Sequence, residues 1–177
     1  MNLKKYSTPI NFVLFQICWF ACVWGAANNL GWLGPALVPL AVPLQVYLLT
    51  DNHKAETIFV FICAGTGILL ETVFIVGGFY IPSGQELPIC PPWMAALWFH
   101  FAMVISISLS WLKGKHLLAA VLAGIFGPLA YWGGEKLGAI TVADAFLRGY
   151  VPIAFFWAIA LPTLIYIHKK ITFQKMN

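Results

Sequence analysis

TIFVFICAGTGILLETVFIVGGFY, Thr57 to Tyr80, carries a single charge, Glu71, in its 24 residues. A run this apolar exceeds the roughly 20 residues that an α-helix needs to cross a bilayer. Similar runs lie on both sides of it, at 10–27, 33–49, 92–112, 116–132 and 150–167, joined by short polar connections. Of the whole chain, 61% is hydrophobic and 9% charged, against about 25% charged in an ordinary soluble domain. There is too little polar surface to coat a water-soluble globule. The fold class is therefore all-α: one domain, a polytopic transmembrane helical bundle of about six spans. The first run follows Lys4 and Lys5 and ends near the small residues Gly25 and Ala27, as a signal peptide does. It is long for a signal core, however, and more membrane sequence follows at once.

The net charge of +4 does not point to nucleic acid, because the basic residues are scattered in twos and threes at the ends of apolar runs. Lys4, Lys5, Lys54, Lys113, Lys115, Lys169, Lys170 and Lys175 fall on one side, and Lys136 and Arg148 on the other. Cytoplasmic loops carry the excess of Lys and Arg, so both termini are expected in the cytoplasm. Aromatic belts are expected at Trp32, Tyr80, Trp93, Trp132 and Tyr150 outside, and at Tyr6, Tyr47, Trp111 and Tyr166 inside.

Pro35, Pro39 and Pro43 fall four residues apart in the second run. Each interior proline removes a backbone donor and clashes one turn back, which predicts a kinked or partly unwound span. The outer connection IPSGQELPICP, 81–91, reads as a loop. In the other, 133–149, Thr141 followed by Asp144, with an Asp144–Arg148 pair at i, i+4, fits a short surface helix as well as an irregular loop. No repeat relates the two halves. In the fifth run Ala120, Gly124, Gly127, Tyr131, Gly134 and Gly138 recur at helical spacing, the mark of a tightly packed central helix.

Glu71 leads the candidate functional residues, since an ionisable group within a span is costly and faces protein or a water-filled cavity. Val60, Ala64, Gly67 and Phe74 share its helical face. Counted at 1.5 Å per residue, Glu71 lies about 13 Å below Tyr80, and His100 lies about 12 Å below Pro92. The two are level on successive spans, so a direct hydrogen bond is expected, and with it a proton relay or an acid/base pair. The alternative is a fastener between helices. Glu135 and Lys136, at the glycine-rich outer end of the fifth run, are candidates for contact with a polar head group.

His53, His116 and His168 sit at inner span ends, where a metal trio competes with three plain interfacial histidines. Cys18, Cys22, Cys63 and Cys90 form no C-x-x-C pair, so neither a disulfide framework nor a zinc site is signalled. No metal and no cofactor is expected. Phosphate loops, nucleophile elbows and H-E-x-x-H motifs are all missing from the sequence. Gln16, Gln45, Asn28 and Asn29 read as interhelical hydrogen-bonding residues.

Three stretches, FQICWFACVWGAANN (15–29), PPWMAALW (91–98) and GPLAYWGGEKLGAI (127–140), resemble the bacterial inner-membrane family catalogued as domain of unknown function 2878. The resemblance implies a multi-pass protein of the bacterial inner membrane, encoded near cyclopropane-type fatty acid synthase genes, and supplies no catalytic residues. Three functions stay open. One is an accessory protein in membrane-lipid modification or handling, with the bilayer and a lipid-modifying enzyme as partners. The second is a small proton-coupled transporter, and the third a structural or assembly subunit. Whether the protein is an enzyme, and its oligomeric state, are not read from the sequence.

Overall fold

The computed structural model describes residues 3–85, 87–143 and 146–173. Within them are six α-helices: α1 (Ser7–Ala27), α2 (Leu33–Leu49), α3 (His53–Val76), α4 (Pro92–Met103), α5 (His116–Lys136) and α6 (Tyr150–Phe173). Four helical stretches, Leu3–Ala27, His53–Val76, His116–Lys136 and Tyr150–Thr172, are long and apolar enough to cross a membrane. The other two, Leu33–Leu49 and Pro92–Ser108, are shorter and equally apolar. None shows a strongly polar face, as expected of helices surrounded by protein on one side and hydrocarbon on the other.

The fold is not purely α-helical. β1 (Tyr80–Pro82) pairs antiparallel with β2 (Ile140–Val142), in the register Tyr80 with Val142 and Pro82 with Ile140. The sequence builds both strands by the same device. Gly78 (φ +68°) and Gly138 (φ +85°) stand just past the ends of α3 and α5 in the left-handed region, where glycine carries no side-chain penalty. The next N–H groups close the turns: Phe79 N–H donates to Phe74 O at 2.9 Å and Ala139 N–H to Gly134 O at 2.9 Å. Each helix thus stops in a Schellman turn and the chain leaves it extended. In both strands the outer two residues face the interior, while Ile81 and Thr141 face out.

Several sequence expectations change here. The third span begins at His53 and ends at Val76, so Tyr80 belongs to a strand. Tyr80 and Trp93 are buried, at 0% and 5% exposure, and so do not form an aromatic belt, whereas Trp32, Trp132, Tyr6, Tyr47, Trp111 and Tyr166 are exposed. Thr141 is in β2 rather than at a helix start; the Asp144 to Arg148 pairing lies outside the described residues. α2 remains helical throughout, with Pro39 and Pro43 inside it, because prolines four apart remove bonds along one stripe and leave the rest of the ladder intact. The irregular span is α4, which passes at Val104–Ser108 into a π-helical turn.

α4, not α5, is the central helix. It packs against α1, α2 and α3, whereas α5 packs chiefly along α6. Gly127 sets the α5–α6 contact: a Cβ there would lie 2.6 Å from the Trp157 ring. α1 and α5 come close at the ribbon end, where a Cβ on Gly133 would be 3.6 Å from the Trp19 ring. Along the rest of their length a cleft separates them.

Candidate functional site

Small residues on α3 open the way to Glu71. Val60, Ala64, Gly67, Glu71 and Phe74 form a buried stripe. Gly67, one turn before Glu71, has no room for even a methyl group: its Cβ would fall 1.9 Å from Trp98 Cδ2. The indole of Trp98 therefore lies flat on α3 and its Nε1 donates to Glu71 Oε1 at 2.8 Å. Tyr131 of α5 donates its hydroxyl to the same oxygen at 2.5 Å. Tyr80, brought back by the turn at Gly78, donates to Oε2 at 2.7 Å. The carboxylate is 1% exposed and is held by three uncharged donors from a strand and two other helices.

This cage is set in the floor of a cavity of about 730 Å³ between α1, α4, α5 and α6, within the ordinary range for ligand pockets. Its walls are mainly aromatic and aliphatic, with Phe12, Phe15 and Trp19 from α1 facing Leu122, Phe126 and Ala130 from α5, and Gln16 of α1 adds a polar side chain to the lining. Trp98 and Trp157 stack at 5.0 Å and 18° beside the carboxylate. A second cavity, about 650 Å³, lies on the far side of α4 between α2 and α3; its lining includes the Pro35, Pro39, Pro43 stripe and no carboxylate.

His100 is fully buried, at 0% exposure, but it does not meet Glu71, and the expected hydrogen bond between them is not formed. Trp98 and His100 are two residues apart, about 200° around a helix, so when Trp98 faces α3 His100 faces α1 and α2. There Gln45 Nε2, which donates to Ala41 O at 3.2 Å, lies 2.7 Å from His100 Nε2. The amide hydrogen makes that ring nitrogen the acceptor and puts the imidazole proton on Nδ1, which has no partner. The chain continues from Asn11 Nδ2 to Gln45 Oε1 at 2.7 Å and from Ser108 Oγ to Asn11 Oδ1 at 2.5 Å. Two amides stand in this chain, and amides exchange protons poorly, so it fastens α1, α2 and α4 rather than carrying charge. Asn11, close to the start of the first span, is a participant that span-end polarity did not single out.

A second buried acid also escaped the sequence reading, because it stands in the first turn of α3, just before the apolar run. Glu56 Oε2 accepts from Ser106 Oγ at 2.6 Å, and both its oxygens lie 3.0–3.1 Å from His168 Nε2. His168 is thus buried and paired rather than interfacial, while His53 and His116 are exposed beside the Tyr47 and Tyr166 rings. Among the described residues no group of three or more His, Cys, Asp or Glu is placed to hold a metal. Serine, histidine and acid are together here, yet one imidazole nitrogen serves both partners and Nδ1 is unpartnered. A nucleophile relay needs the two nitrogens to face different partners, so this is a clamp between α3, α4 and α6.

At the ribbon end, Glu135 accepts from the Val142 N–H at 3.0 Å and from the Tyr150 hydroxyl at 2.7 Å, bracing β2 and α6 against α5. Lys136 is exposed, its Nζ 5.9 Å from the Trp132 ring centroid. Cys90 is half-buried beside the cage; burial first, then the charge of Glu71, push its thiol up to about 12, so it stays protonated and inert.

A family model described as protein of unknown function, DUF2878, matches residues 8–163. The chain belongs to the DUF2878 family. No curated protein and no solved structure matches it. The matched region of the DUF2878 model takes in Glu71, its three donors and the whole cleft, so the site belongs to the body of the family's domain rather than to an appendage.

Proposed function

We propose that this protein is a six-span protein of the bacterial inner membrane, with both termini in the cytoplasm, that takes a membrane lipid into the cleft between α1 and α5 as an accessory to lipid modification or handling. The observation that carries this reading is the position of Glu71: one caged carboxylate lining a largely apolar cavity of about 730 Å³. Apolar walls suit a hydrocarbon tail, and a small number of polar groups fixes its orientation. A cleft between two helices long and apolar enough to cross a membrane admits its ligand sideways from the bilayer. Glu71 orients the ligand or exchanges a proton with it. Lys136, at the ribbon end of α5, contacts the head-group phosphate of a lipid at the mouth, while Glu135 has both oxygens engaged and positions the ribbon.

The transporter reading rests on proton coupling through Glu71 and on an unwound second span; α2 has no such break, which leaves it the coupling residue alone. An untargeted lipid profile of a strain lacking the gene, complemented with the wild-type chain or with Glu71→Gln, tests the lipid reading. A lipid species that changes on deletion and returns only with the wild type is the expected result. An unchanged profile overturns it and directs attention to flux and assembly.

A further inference from the structure

Glu71 lacks one thing that the other buried acid has. Its three donors, Tyr80, Trp98 and Tyr131, are all neutral, whereas among the described residues Asp51 is bonded to Lys4 and Glu56 to the basic imidazole of His168. A carboxylate offers about four acceptor positions; two bonds reach Oε1 and one reaches Oε2, so a position on Oε2 stays open. An indole N–H can only donate, and among the described residues the other groups bonded to the carboxyl are the two tyrosine hydroxyls. Three donors favour the anion, and a buried anion in an apolar setting calls for a positive partner.

The walls supply the rest of the recognition. Trp98 and Trp157 stack on each other beside the carboxylate and cover their shared faces, and the rings of Trp19, Trp93 and Phe101 line the same cavity. Aromatic faces around an acidic group attract ammonium ions through the negative charge of the ring faces and disfavour anions. We propose that the cleft selects a membrane lipid bearing an ammonium group, which lies against Glu71 and completes its charge, with the tail along α1 and α5. The inference rests on the lateral-cleft reading and adds the ligand's charge. The dimensions agree. Glu71 is five residues from the end of α3, about 7.5 Å, which keeps the head group near the ribbon end. The α1 wall from Phe12 to Val23 then runs about 17 Å for the tail.

Tryptophan quenching reads this out, since Trp19, Trp93, Trp98, Trp111 and Trp157 all line the cavity. The full chain in neutral maltoside micelles would be titrated with three lipids carrying the same bromine-labelled tails: phosphatidylethanolamine, phosphatidylglycerol and diacylglycerol. Half-maximal quenching by the ethanolamine lipid is expected at a mole fraction at least tenfold below the other two, with the preference falling below twofold in Glu71→Gln. Trp157→Leu, which removes a wall ring and leaves the carboxylate, is expected to weaken the ethanolamine lipid several-fold and to spare diacylglycerol; it serves if Glu71→Gln fails to fold. Equal quenching by all three lipids in the wild type overturns the ammonium assignment while leaving the cleft reading standing. Absence of saturable quenching by any of them overturns the cleft reading, and this inference with it.

Discussion

Two carboxylates, fifteen residues apart on α3, face the same interior because that separation is close to four helical turns. Glu56 meets an imidazole and a hydroxyl and is closed in by α4 and α6. Glu71 meets two phenols and an indole and lies in the floor of a cavity. The first arrangement joins an acid to a base inside the protein, whereas the second has neutral donors alone and lines a cavity. The difference teaches that burial alone does not mark a functional acid. The acid whose partners leave something over is the better candidate, and substitutions on the two sides should behave differently.

The largest effect is expected at Gly67→Ala. Its Cβ collides with Trp98, so either the ring leaves the carboxylate or the helices part, at a cost at or above the upper end of the roughly 1–3 kcal/mol usual for overpacking; a melting curve in detergent checks it. Glu56→Ala ranks next. Removal of the acceptor for Ser106 and His168 leaves two buried groups unmatched and should cost about 1–3 kcal/mol. Glu71→Gln should cost less, under about 1.7 kcal/mol, because the amide oxygen still accepts from Trp98 and Tyr131 and the Tyr80 hydroxyl can turn to accept from the amide nitrogen. Equal melting shifts for the last two variants would break the comparison.

The smallest effect belongs to an acid with a partner and no burial. Asp51 is exposed and bonded to Lys4, and this hydrogen bond, followed by the lysine charge, holds its carboxyl below the usual range. A lowered folded-state pKa means that the contribution is present above the ordinary carboxylate range and fades as pH falls through the lowered value. Exposed pairs contribute little, so Asp51→Asn should leave the melting temperature at pH 7 within error and flatten only a slight acid-side slope in the melting temperature.

The helical character and the inward aim of Glu71 were legible, because apolar runs and a stripe of small residues are local patterns. The partner of Glu71 was not. Equal depth put His100 beside it, but depth fixes only one coordinate; the 200° between Trp98 and His100 decides which of them reaches α3. Tyr80 read as a belt residue because aromatic residues at a span end usually are, and only the left-handed turn at Gly78 sends it back inside. The signal for the ribbon was present in G-F-Y-I-P and G-A-I-T-V, a glycine two residues before a short extended run in both cases. Three-residue strands are too short for any alternation to show. Glu56 escaped notice because its position at a helix start looks solvated until α6 folds over it.

The order of the cage residues along the chain bears on how the protein enters the bilayer. Tyr80 and Trp98 lie 9 and 27 residues after Glu71, whereas Tyr131 lies 60 after it. A nascent α3–α4 hairpin therefore already contains two of the three groups that solvate the acid, before α5 has been synthesised. The residue most costly to transfer travels with its own hydrogen-bond donors, and Tyr131 with β2 locks the arrangement only when the last third of the chain arrives.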